Sequence, residues 1–272
     1  MRDITEKEFH QIRDYIKRSV GISLGEEKKS LIYSRLRSTL QEKGFDDFSE
    51  YYEYLINDKS GDAVISFINK VTTNHTFFMR EVDHFDFFRD TVLPYIAQTF
   101  SREKDLRLWC AGCSSGEEPY TLQMIIQDFF RSFDEKWNTE ILATDISSSV
   151  LQKATKGAYT NESISPLPES WRKTYFEKLD DTNSVIVNSL KKEITFRKFN
   201  LMEEKFPFKR PFQVIFCRNV MIYFDNETRN TLVEKFYQAT EQGGYLFIGH
   251  SESLNHTPTA YKYVMPAVYR KV

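Results

Sequence analysis

Cysteine is scarce in this chain of 272 residues: Cys110, Cys113 and Cys217 make one C-x-x-C pair and one distant residue. No second pair completes a tetrahedral zinc site. Small and set near predicted strand ends, the three read as packing residues that a cytosolic home keeps reduced. A basic-then-apolar N-terminal signal pattern is missing, as is any apolar run of the ~18 residues a membrane span needs. The expectation is therefore a cytoplasmic protein with no direct membrane insertion. An excess of positive charge is missing too. The formal net charge is −2, which argues against a protein built to neutralise nucleic-acid phosphates. His75, His84, His250 and His256 show no metal-ligand spacing along the chain, so no metal is expected. Internal repeats and low-complexity tracts are absent as well.

What is present is an ordinary soluble composition, with 40% hydrophobic and 28% charged residues. Much of the apolar bulk comes from 23 Phe and 15 Tyr, which suit cores and stacking surfaces equally. The first 71 residues predict an all-helical domain. Thr5 and Glu8 have capping-box spacing, Phe9, Ile12, Ile16 and Val20 form a stripe, and Gly21 supplies a stop. A second helix is predicted over about 26–43 with Ile32, Leu36 and Leu40 inward, and two more near 51–56 and 64–71.

From about residue 106 short apolar runs alternate with helical stretches, the pattern of a parallel sheet built from strand-helix units. The runs are 106–110, 141–144, 214–216 and 245–248, with two closing strands at 261–264 and 267–269. Between about 157 and 199 the pattern weakens to a helical stretch at 171–179 and β-like runs at 185–187 and 194–196, read as an inserted β-containing subdomain. The predicted organisation is a helical domain at 1–71, a linker at 72–95, and an α/β domain at 96–272.

The segment 109–120 joins the first strand to a helix through small residues, which let a ligand approach the backbone. Ser115 and Glu118 have capping-box spacing, and Pro119 is tolerated in a first helical turn. Glu117 and Glu118 complement the helix dipole but would repel a pyrophosphate, so a cationic nucleoside fits better than a dinucleotide. S-adenosylmethionine, with its sulfonium and amino group, is such a ligand; the alternative is that both acids merely cap the helix. Asp145 ends the next predicted strand, where Rossmann-like folds set an acid against ribose hydroxyls, although it also suits a helix cap.

Five segments together resemble a known family, the chemotaxis receptor methyltransferases called CheR. They are TTNHTFFMRE at 72–81, CAGCSSGEEPY at 110–120, ATDIS at 143–147, CRNVMIYF at 217–224 and GYLFIGHSES at 244–253. The resemblance implies a Rossmann-like S-adenosylmethionine-dependent methyltransferase domain behind the helical domain. It places Asn74, Thr76, Arg80, one or both of Glu117 and Glu118, Asp145, Asn200, Leu201, Arg218 and Asn219 around the cofactor, with Tyr223 in the active site. The implied reaction esterifies glutamates on the cytoplasmic helical region of chemoreceptors and releases S-adenosylhomocysteine. Met79 stands where the family usually has Phe, and Gln242 where Pro is common.

A glutamate acceptor is already an anion at neutral pH, which explains the lack of a catalytic triad. Tyr223 and Arg80 are the candidates for orienting it. Lys28, Lys29, Arg35, Arg37 and Lys43 stand against Glu42 alone on the second helix. From charge alone this is a solvated face; the resemblance implies that it attracts glutamate-rich receptor helices. The rivals are a nucleic-acid methyltransferase, suggested by the position of CRN at 217–219, and an adaptor that binds the cofactor without turnover.

Overall fold

The computed structural model describes residues 2–72 and 75–272. Contacts divide the chain into two units, Met1–His75 with Tyr223–Arg229 and Thr76–Ile222 with Asn230–Val272. In the first unit the predicted helices form where the caps and stripes place them. The Thr5 hydroxyl accepts from the Glu8 amide at the head of α1 (Glu6–Val20), and the Glu8 carboxylate accepts from the Thr5 amide at 2.9 Å. This reciprocal box satisfies two amides that a helix start leaves without partners. Phe9, Ile12, Ile16 and Val20 are buried. A 3-10 turn at Glu26–Lys28 leads into α2 (Lys29–Lys43), which buries Ile32, Leu36 and Leu40 and ends at Gly44. Next come α3 (Phe48–Asn57) and α4 (Asp62–Val71). The segment Tyr223–Arg229 is bonded into the same unit. The Ser23 amide donates to the Tyr223 carbonyl at 2.8 Å, Ile22 bridges Phe224, and Lys17 pairs with Asp225 at 2.6 Å.

The second unit begins with α5 (Val82–Phe87), which continues through a π-helical turn at Phe88–Val92 into α6 (Leu93–Thr99). The stretch read as a linker is thus helical from Val82, and Phe85, Phe88 and Val92 enter the core. Then follow β1 (Leu108–Ala111), α7 (Glu117–Phe130), β2 (Ile141–Asp145), α8 (Ser148–Lys156), β3 (Ala158–Thr160) and α9 (Glu169–Tyr175). The chain goes on through β4 (Phe176–Lys178), β5 (Asn183–Ile186), α10 (Asn188–Lys191), β6 (Ile194–Lys198) and β7 (Phe212–Cys217). It closes with α11 (Asn226–Ala239), β8 (Thr240–Ile248), β9 (Lys262–Met265) and β10 (Val268–Arg270).

A seven-stranded sheet has the order β6-β2-β1-β7-β8-β10-β9. Its first five members run parallel, and β10 is antiparallel to both neighbours. Two expectations change here. The run at 194–196 is not part of the insertion; it belongs to β6, which pairs with β2 along Ile141–Asp145. This edge strand is buried only at Ile194 and grades to exposed Arg197 and Lys198, so it lacks the unbroken apolar run of β1 and β7, whose residues are all buried. The helix read at 171–179 stops at Tyr175, because Phe176–Lys178 is taken up as a strand against β5 in a separate three-stranded sheet.

Both faces of the large sheet are filled by aromatics. On one, the Trp109 ring lies within 4.8–5.9 Å of Phe199, Phe206, Phe208, Phe212 and Phe236, and its indole N–H donates to Thr144 at 2.9 Å. On the other, Phe216 and Phe247 stack at 4.2 Å with Phe85 and Phe88 packed against Phe216. Neighbouring strands present alternate side chains to opposite faces, so this pair of cores holds the strand ends in fixed register. Among the described residues, no helix is long and apolar enough to cross a membrane.

Candidate active site

The strand order reverses at β1, which has β2 on one side and β7 on the other. In an open parallel sheet the crevice beyond the carboxyl ends of such strands is where ligands bind. The segments after β1, β2, β7 and β8 carry the motifs singled out in the sequence. After β1, the Gly112 and Cys113 amides both donate to the Thr144 carbonyl, at 2.8 and 2.9 Å, and the Ser114 amide donates to Asp145 Oδ2 at 2.9 Å. Gly112 has φ 91° and Gly116 φ 99°. A Cβ on Gly112 would lie 2.4 Å from Val220 Cγ2, and one on Gly116 2.9 Å from Ala154 Cβ. The turn and its protein neighbours demand these glycines before any ligand does. The expected Ser115–Glu118 capping box does not form. Helix α7 starts at Glu117, one residue later than that spacing requires, and the left-handed Gly116 takes the cap position.

The two adjacent acids at the head of α7 have different surroundings. Glu118 is neutralised from within: Oε2 pairs with Arg218 Nη1 at 3.0 Å and Oε1 accepts the Cys110 thiol at 2.8 Å. Glu117 is buried and held by hydroxyls, Ser115 at 2.8 Å and Thr76, with no ion pair among the described residues. Burial pushes its pKa up. Burial also raises Asp145, whose two oxygens accept the Ser114 and Ser147 amides, each at 2.9 Å. Beside β2, the Phe199 amide donates to the Asp145 carbonyl at 3.0 Å. This brings Asn200 and Leu201 to the same strand end. The Asn200 side chain accepts the Met202 amide at 3.0 Å, and the Leu201 carbonyl accepts the Lys235 ammonium at 2.7 Å.

Arg218, just past β7, ties three of these segments together. Its side chain is 2% exposed, with Nη2 3.0 Å from Glu81 Oε2, Nη1 on Glu118, a further bond to the Arg80 carbonyl, and the guanidinium 5.2 Å over the Phe85 ring. Its donors are thus committed within the protein. Burial alone would raise Glu81, but the charge and hydrogen bonds of Arg218 hold it below the usual glutamate range. Asn219 sits at φ 59°, gives its amide to Glu252 at 2.9 Å and its side-chain N–H to Glu81 at 3.3 Å. Arg80 is half-buried, with its guanidinium 6.0 Å over Phe77. Met79, Glu81, Ser114 and Asn219 are all non-glycine residues in the left-handed region, a clustering of strain typical of sites that must hold one geometry.

Of the expected cofactor residues, Thr76, Arg80, Glu117, Glu118, Asp145, Asn200, Leu201, Arg218 and Asn219 lie in the second unit, and Asn74 lies outside the described residues. Tyr223 ends the 3-10 turn Met221–Tyr223, half-buried, and is grouped with the first unit. All three cysteines are buried and free, as their packing role predicts. Two acids were not singled out from the sequence. Glu81 receives Arg218 and Asn219. Glu252 is buried and accepts the amides of Gly249, Asn219 at 2.9 Å and Ile222 at 3.1 Å, while burial raises its pKa. Their signal was a lone acid inside an aromatic or small-residue segment, where only donors from elsewhere in the fold make burial tolerable.

Residues 74–269 match the model of the CheR methyltransferase SAM-binding domain, and residues 7–72 that of the CheR methyltransferase all-alpha domain. The chain belongs to the CheR methyltransferase family. It is 43% identical to the chemotaxis protein methyltransferase of Borreliella burgdorferi, over 99% of this chain and 95% of that one. It is 35% identical to chemotaxis protein methyltransferase 2 of Pseudomonas aeruginosa, over 97% and 93%, and 32% identical to the Escherichia coli chemotaxis protein methyltransferase, over 93% and 86%. Among solved structures, the N-methyltransferase NodS from Bradyrhizobium japonicum WM9 with S-adenosyl-L-homocysteine aligns at 12% identity and TM-score 0.32, covering 59% of this chain and 60% of that one. That likeness is too remote to bear on the site. The donor is S-adenosylmethionine, and the buried Glu117 beside the small-residue turn, without an ion pair among the described residues, fits a ligand that carries positive charge.

Glu252 fixes the turn at 219–222 through backbone amides alone. Glu252→Gln leaves one of those amides facing an NH2 group, which costs about 1.5–3 kcal/mol. Urea unfolding and methyl-transfer rates should both fall, with far-UV circular dichroism unchanged; wild-type stability would show that the amides find other partners.

Proposed function

We propose that this CheR-family enzyme transfers the methyl group of S-adenosylmethionine to glutamate side chains on the cytoplasmic helical region of chemoreceptors, forming glutamate methyl esters and S-adenosylhomocysteine. The observation that supports the site assignment most directly is Glu117, a buried carboxylate held by hydroxyls and its own amide, with Lys153 acting on it through charge but no ion pair formed among the described residues. When bound, S-adenosylmethionine supplies a methyl group on a positively charged sulfur. Glu117 takes up ligand positive charge, and Thr76 holds its carboxylate. Asp145, which accepts the amides of Ser114, Ser147 and Ile146, retains acceptor capacity for one further donor, since each carboxylate oxygen accepts two, and takes a ribose hydroxyl. Asn200, Leu201 and Asn219 complete the surroundings of the nucleoside, together with Asn74. Arg218 acts by holding Glu81, Glu118 and the Arg80 carbonyl in place.

The acceptor glutamate is ionised at neutral pH, so no general base is needed and rate comes from alignment and exclusion of water. Arg80 and Tyr223, four residues past Asn219 on the chain, orient that carboxylate. The exposed basic residues Lys28, Arg35 and Arg37 of the 28–37 stretch attract acidic receptor helices, with Lys29 held by Glu6.

The test is incubation with radiolabelled S-adenosylmethionine and a glutamate-bearing receptor fragment, followed by base. Carboxyl methyl esters release volatile methanol; label that survives base, or that enters only RNA or DNA, overturns the assignment, and cofactor binding without transfer makes the protein an adaptor. Glu117→Gln removes a buried carboxyl whose desolvation outweighs its hydrogen bonds, so the protein should melt at a higher temperature while S-adenosylmethionine affinity falls roughly 10–100-fold, the weight of a hydrogen bond to a charged group. Unchanged affinity by calorimetry would remove Glu117 from the site. Tyr223→Phe should lower turnover more than cofactor affinity, and equal loss of both would exclude an orienting role. Arg37→Glu should weaken receptor methylation most at low salt, as a steering charge does; a salt-independent rate in both proteins would show that this face does not meet the receptor.

A further inference from the structure

His84 is fully buried beneath the Arg218 clamp, and both of its ring nitrogens face oxygen. Nδ1 lies 3.5 Å from Glu81 Oε2 and Nε2 lies 3.4 Å from the Pro266 carbonyl. A neutral imidazole has one N–H, so either tautomer leaves a nitrogen lone pair pointing at an oxygen. Neither contact is a good hydrogen bond, and Nδ1 is buried with no hydrogen-bond partner. The second imidazole of the region, His250, stands edge-on at 4.6 Å. Glu81, His84 and His250 each bring a ligand atom within 4.8 Å of the other two.

We propose that Glu81, His84 and His250 form a binding site for a divalent transition-metal ion, one carboxylate oxygen and two imidazole nitrogens, with zinc the best match in ligand type. The outer partners are those a metal-bound imidazole uses. An ion on His84 Nδ1 fixes the proton on Nε2, where it meets the Pro266 carbonyl, and His250 Nε2 lies 3.1 Å from Asp83 Oδ2. Both lone-pair conflicts at His84 then disappear together. Three protein ligands leave a tetrahedral ion one open position, and His250, 42% exposed, lies on the solvent side as an entry path. The opposing effect is Arg218, whose Nη2 is 3.0 Å from the same Glu81 oxygen. Arg218 Nε also lies 3.3 Å from that oxygen, so the ion displaces both contacts and uptake costs the buried guanidinium one of its two acids, leaving it on Glu118 and the Arg80 carbonyl; the affinity measured is net of that loss.

Equilibrium dialysis of the full chain against Zn2+, and the visible spectrum with Co2+ as the metal, test the site. One ion per chain is expected, with His250→Ala weakening it at least about tenfold and Asp83→Asn about 10–100-fold, as loss of outer-shell support does elsewhere. His250 is exposed, so its replacement leaves the core intact, and circular dichroism verifies this. His10→Ala, at the exposed cluster of Glu6, His10 and Glu26, should leave the affinity unchanged. No uptake by the wild type, uptake that survives His250→Ala, or a cobalt-thiolate charge-transfer band placing the ion on a cysteine would each overturn the proposal.

Discussion

Arg218 carries its guanidinium charge on a side chain 2% exposed. Taking such an ion out of water costs several kcal/mol, and only closely placed opposite charges and acceptors compensate. Glu81 and Glu118 provide the charges, the Arg80 carbonyl a further acceptor, and the Phe85 ring a face for the cation. Because these partners come from the 76–81 segment, the head of α7 and the end of β7, the order of the whole crevice depends on one guanidinium. Losing either acid leaves an uncompensated buried charge, a far larger penalty than the net worth of the pair.

Against that balanced centre stand three carboxylates that form no ion pair among the described residues. Burial raises Glu117, Asp145 and Glu252 alike. A raised folded-state pKa means that each group favours the fold below the ordinary carboxylate range, and that this contribution is lost as pH rises through the raised value. Glu81 has the opposite sign: held low, it contributes above its ordinary value and loses that contribution as pH falls. Amides from neighbouring segments hold Asp145 and Glu252, whereas Glu117 has the Ser115 and Thr76 hydroxyls, its own amide and the more distant charge of Lys153, so its buried carboxyl beside the turn at 112–116 has no ion-pair partner among the described residues.

How much of this was readable in the chain depends on the distance over which each interaction acts. Thr5 and Glu8 satisfy each other within one helical turn, so their box was legible, as were the continuous apolar runs that became β1 and β7. Strand β6 was misplaced because this edge strand buries only its first residue and ends in exposed Arg197 and Lys198, so it reads like a surface strand. Glu117 and Glu118 are neighbours with the same chemistry, and only Arg218, 100 residues from Glu118, tells them apart. Glu81 lies 137 residues from the same guanidinium, and His84 finds His250 only after the sheet has brought α5 beside the end of β8. No spacing rule along the sequence reaches across such separations. Family resemblance pointed to the segments, but did not distinguish a group that meets the ligand from one that holds a neighbour.

The grouping of Tyr223–Arg229 with Met1–His75 bears on synthesis as well as on architecture. Chains emerge from the ribosome N-terminus first, and units generally fold once complete. The helices of residues 6–71 appear early, yet the bridge from Ile22 to Phe224, the Ser23–Tyr223 bond and the Lys17–Asp225 pair must wait until the chain has passed residue 225. By then β1, β2, β6 and β7 have already been made. The unit that begins first is therefore among the last to be finished, and a nascent chain stalled before that segment would display the apolar Ile22 with no strand to meet it.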